Sequence, residues 1–67
     1  MEISARNQLK GRVTRINQDN VVSEVTVQVG DNEVVAVITR SSVERLKIVE
    51  GADVTVIIKA TEVMLAR

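Results

Sequence analysis

Neither cysteine nor histidine occurs in this chain of 67 residues. Without them there are no disulfides and little basis for a zinc site. The commonest general base is missing too, as is the commonest covalent nucleophile besides serine. Phenylalanine, tyrosine and tryptophan are also absent, so a core has to be built from Val, Ile, Leu, Ala and Met. Charge of either sign is not in excess, since nine Lys and Arg balance nine Asp and Glu. A nucleic-acid binder normally shows a basic surplus and, for single strands, aromatic platforms for the bases. Both are lacking here. No apolar run approaches the roughly 18 residues of a membrane span, and no signal-peptide pattern opens the chain, so the expectation is a cytoplasmic protein away from membranes. The three glycines are isolated and cannot form a phosphate-cradling loop.

What is present fits one domain covering residues 1–67. A chain this short buries only about 60% of the surface its unfolded form exposes. With no staple available, the missing stability is expected to come from burial between subunits.

Leu9 to Asn17 reads as a first strand, with Gly11 marking a bulge or a close backbone approach. Asn17–Asn20 is a turn by composition. Val21, Ser23, Val25, Val27 and Val29 then alternate with Val22, Glu24, Thr26 and Gln28, the period of a half-buried strand. Gly30-Asp31-Asn32 supplies a hairpin turn. Val34 to Ile38 is apolar on both faces, which calls for a cover on the second face, and a partner subunit is the economical one. Ser41 with Glu44 forms a capping-box pattern, and Val43 and Leu46 share a face, so a short helix is expected to end near Lys47. After a turn at Glu50–Asp53, Val54 to Lys59 alternates as a fourth strand, and Val63 to Leu65 reads as a fifth. The sum is an all-β fold: a five-stranded OB-like Greek-key barrel with one short helix between strands 3 and 4.

No catalytic constellation emerges. A Ser–Lys pair drawn from Ser41 or Ser42 with Lys59 reads more simply as a helix cap and a strand-end lysine guarding an edge. The expectation is a protein that is not an enzyme. Anion chemistry is better supplied. The opening run Ser4-Ala5-Arg6-Asn7 carries donors on three side chains, with a planar guanidinium fork on Arg6. Thr39, Ser41 and Ser42 place hydroxyls at a helix start, and Lys59 sets a cation at the end of an apolar strand.

The Ser4–Asn7 run, the Thr39/Ser42 pair and the closing segment Lys59-Ala60-Thr61-Glu62-Val63-Met64 together resemble the molbindin family, the small molybdate-binding Mop domain. The likeness covers essentially the whole chain. It implies an oxyanion bound between subunits. One subunit would contribute Ser4, Ala5, Arg6 and Asn7, while Thr39, Ser42, Lys59 and Ala60 complete the shell. It also implies a trimer of dimers, molybdate as ligand with tungstate as analogue, and a role in molybdenum storage and homeostasis. Related domains have a second kind of site near a threefold axis, for which this sequence shows no signature. Two rival readings stand beside this one. The first is a non-enzymatic OB-like module that docks on a larger partner such as a molybdate transporter or regulator. The second is an oligonucleotide binder, which composition opposes.

Overall fold

The computed structural model describes residues 5–67. Four strands, β1 (Asn7–Gln18), β2 (Val22–Val29), β3 (Asn32–Thr39) and β4 (Asp53–Ile58), form one antiparallel sheet in the order β3-β2-β1-β4. A helix of six residues, α1 (Arg40–Arg45), stands between β3 and β4, and a 3₁₀ turn, Ala60–Glu62, follows β4.

β1 is the hub. Its first half, Asn7–Arg12, pairs with β4, and its second half, Arg12–Gln18, pairs with β2. The changeover needs a bend, and two local features provide it. A Cβ on Gly11 would lie 2.6 Å from Val27 Cγ1 and 2.7 Å from the Gln28 carbonyl oxygen. Gly11 is thus a close backbone approach. The bulge itself falls three residues later, where the β1–β2 register skips Thr14 between Val13 and Arg15.

Alternation along β2 holds as the sequence predicts for Ser23, Val25 and Val27, all buried. Val21 and Thr26 depart from it: Val21 lies before the strand and is 73% exposed, while Thr26, expected on the opposite face, is buried. Val13, Val25 and Val27 meet Val43 of α1 in the core, edged by half-buried Ile16, Ile38, Ile48, Val54 and Val56. Ala5 is the other buried apolar residue among those described. Five small buried side chains make a thin core.

Two expectations are corrected. The fifth strand does not form: Val63 is 44%, Met64 92% and Leu65 93% exposed, and the sheet stays open between β3 and β4. These three residues form a short apolar run that pairs with no strand of the protomer. The helix cap also moves. Thr39, still extended (φ −70°, ψ 150°), is the N-cap, and its Oγ1 accepts from the Ser42 amide. Glu44, the intended second half of a Ser41 capping box, pairs with Arg40 at 3.3 Å instead.

Candidate functional site

The strand register decides which candidates meet. Ser4 lies outside the described residues. Ala5 is buried, and its carbonyl accepts from Gln8 Nε2 at 3.3 Å. Asn7 is half-buried and pairs with Ile58 across the β1–β4 ladder, and its Nδ2 also donates to the Ile58 carbonyl at 3.1 Å. Arg6 immediately precedes this pair and Lys59 immediately follows it. Two cations, neither with an acidic partner among the described residues, therefore flank one clamped strand pair. Lys59 is extended (φ −64°, ψ 141°), and its carbonyl accepts from the Glu62 amide at 2.9 Å, which turns the chain at Ala60. The result is an exposed pair of cations at adjoining strand ends.

The hydroxyls sit elsewhere. Thr39 ends β3 opposite Val22, at the start of β2, while Ser23 faces Gln18 at the far end of β1. Thr39 Oγ1 lies 2.8 Å from Ser42 Oγ and 3.2 Å from Ser41 Oγ. Within one chain, then, Arg6, Asn7, Lys59 and Ala60 gather at the Asn7 end of β1, and Thr39 and Ser42 at the Gln18 end. The resemblance groups Lys59 with the hydroxyls. In the structure the antiparallel pairing of β4 with β1 puts it beside Arg6 instead. A Ser–Lys pair inside one protomer is excluded by the same register.

An open hollow over β1 and β4 is lined by Lys10, Arg12, Gln28 and Asp53 among others. There Arg12 faces Asp53 at 3.6 Å, so its charge is already answered.

A family model described as the TOBE domain matches residues 3–65. The chain belongs to the TOBE-domain family. Molybdenum-pterin-binding protein 1 of Clostridium pasteurianum is 44% identical over 66 residues, 97% of each chain. Among solved structures, a molybdate-binding protein from Sporomusa ovata superposes with a TM-score of 0.95 at 37% identity, covering both chains fully. The cytoplasmic molybdate-binding protein ModG, solved with molybdate bound, gives 0.90 at 34% identity over 96% of this chain and 46% of its own. These relatives share the four-stranded sheet and short helix on which this TOBE domain carries its cations and hydroxyls.

Sequence reasoning passed over one polar residue of the cluster, Arg45, whose Nη2 reaches Ser42 Oγ at 3.5 Å. Its signal was the i, i+3 spacing from Ser42 on a helix face.

Proposed function

We propose that this TOBE domain binds molybdate, with tungstate as an analogue, in a site shared by two protomers, and that it serves intracellular storage of the oxyanion without catalysis. The observation that carries the reading is the cation pair Arg6 and Lys59, neither with an acidic partner among the described residues, flanking the Asn7–Ile58 clamp. A dianion leaving water has to be paired and fully hydrogen-bonded. Arg6 and Lys59 bring the charge. Ser4, the backbone at Ala5 and Ala60, and Ser42 backed by Thr39 bring neutral donors. Since the two groups occupy opposite ends of β1, the shell closes only when the cation pair of one protomer meets the hydroxyls of another. The relatives' name also raises a pterin, but a flat bicyclic ring would want an aromatic partner, and the chain has none.

Assembly has its own support. Between the open edges of β3 and β4 lies an apolar cleft of about 230 Å³, lined by Ala36, Ile38, Leu46, Val54 and Val56 among others. Val63–Leu65 of a partner is an extended apolar segment of the kind that cleft would accept. Val35 and Val37, 56% and 66% exposed on the outer face of β3, offer a further contact. A trimer of dimers accommodates both.

Complementation tests the shared site. Arg6→Ala and Ser42→Ala should each lower molybdate affinity, the former by a hundredfold or more. Refolded together, they should regain about one quarter of the wild-type sites, because random pairing brings an intact cation pair to an intact hydroxyl cluster that often. Arg6→Ala mixed with Lys59→Ala should regain none, both cations being on the same half-site. Calorimetry counts the sites. Recovery in the second mixture, or none in the first once native mass spectrometry shows mixed assemblies, refutes the shared arrangement. A wild-type protein whose thermal midpoint ignores molybdate refutes the function.

A further inference from the structure

The hydroxyl cluster admits one arrangement of protons. The Ser42 amide donates to Thr39 Oγ1 at 3.1 Å, and the Thr39 hydroxyl donates to Ser42 Oγ at 2.8 Å. With its only proton committed, Thr39 accepts in its 3.2 Å contact with Ser41, so the Ser41 hydroxyl is the donor there. Arg45 Nη2 donates to Ser42 Oγ from the other side at 3.5 Å. A hydroxyl oxygen accepts at two positions and donates from one. On Ser42 both accepting positions are filled, by Thr39 and Arg45, and its own proton alone is left for a ligand. Arg45 is available for this because the acid on the helix, Glu44, is taken by Arg40 at 3.3 Å.

We infer that Arg45 is a specificity-determining positioning residue, which fills the last accepting position on Ser42 Oγ and so makes that hydroxyl a donor that cannot accept. The inference rests on the oxyanion reading above and deepens it. Molybdate, tungstate and sulfate only accept hydrogen bonds, and they suit such a group. Hydrogen phosphate and hydrogen arsenate carry an O–H that needs an acceptor, and at this position they find none. Remove the Arg45 N–H and Ser42 can turn to accept that proton. Rejection of protonated oxyanions thus depends on a residue placed behind the hydroxyl that meets the ligand.

The ratio of two dianion affinities isolates this effect, since loss of the Arg45 charge weakens both alike. Binding of molybdate, sulfate and phosphate is measured on the full chain at pH 8, where phosphate is chiefly the hydrogen dianion, for wild type, Arg45→Met and Arg45→Lys. Arg45→Met should narrow the molybdate-over-phosphate preference on the order of tenfold, the worth of about one hydrogen bond. The molybdate-over-sulfate preference should hold, and Arg45→Lys, which keeps an N–H donor, should restore most of the discrimination. An unchanged phosphate ratio in Arg45→Met overturns the inference. So does an equal gain for phosphate and sulfate, the mark of a loosened pocket. If the wild type binds no molybdate, the oxyanion reading itself fails and this inference with it.

Discussion

Lys47 is the one non-glycine residue among those described with a left-handed backbone (φ 55°). It stands just past α1, where its amide donates to the Glu44 carbonyl at 3.2 Å and the Ile48 amide to the Val43 carbonyl at 3.0 Å. This is a Schellman ending, and Ile48 returns to the Val43 cluster as that motif requires. A Cβ in this conformation costs roughly 1–2 kcal/mol, part of which glycine gives back through its looser unfolded chain. Lys47→Gly should therefore stabilise the fold by about 0.5–1 kcal/mol in urea titration, with molybdate affinity unaltered. The same scale shows how far the sequence could be read for the site. Arg6, Asn7, Thr39, Ser42 and Lys59 stand out as candidates from residue type and order. The division of labour between Thr39 and Ser41 is not, because Thr39 is both the end of a strand and the cap of a helix. Local pattern rules choose between these states, whereas the chain here uses both.

At the scale of elements, β1 carries the fold, and Gly11 is where it can fail. A methyl group there meets a valine side chain and a strand carbonyl, neither of which can withdraw without moving β2. Gly11→Ala should destabilise by about 1–3 kcal/mol, the usual cost of overpacking, as read from the urea midpoint. Binding should weaken as well, because the β1 bend sets where the Arg6 end points. The strands β2 and β4 are legible from alternation, and β3 from an apolar run after a hairpin turn, each to within a residue or two. The true length of β1 is not, because Asn7 and Gln8 look like an arm until β4 is there to pair with them. Nor is the grouping of Lys59 with Arg6, which depends on register between segments 51 residues apart.

For the whole molecule the decisive features are an open sheet and a bare C-terminal segment. Composition alone predicts an oligomer, and the apolar faces of Val34–Ile38 single out the strand expected to need a partner. They do not say that Val63–Leu65, an apolar run read as a strand, pairs with no strand of its own protomer. A chain ending at Glu62 should lose assembly. By sedimentation at micromolar concentration we expect it to run as monomer or as irregular aggregate, with its thermal midpoint lowered by several degrees or more and unresponsive to molybdate. A discrete oligomer of wild-type mass from that truncated chain overturns the assembly proposed here. The two unpaired edges also bear on how the protein is made. In the proposed assembly, a newly synthesised copy would expose two rows of backbone donors and acceptors until a second copy arrives, so its maturation would be a race between finding a sibling and meeting a stray strand. Dilute chains are then the vulnerable ones, and a cell that makes this protein in brief, abundant bursts protects it better than one that makes it slowly.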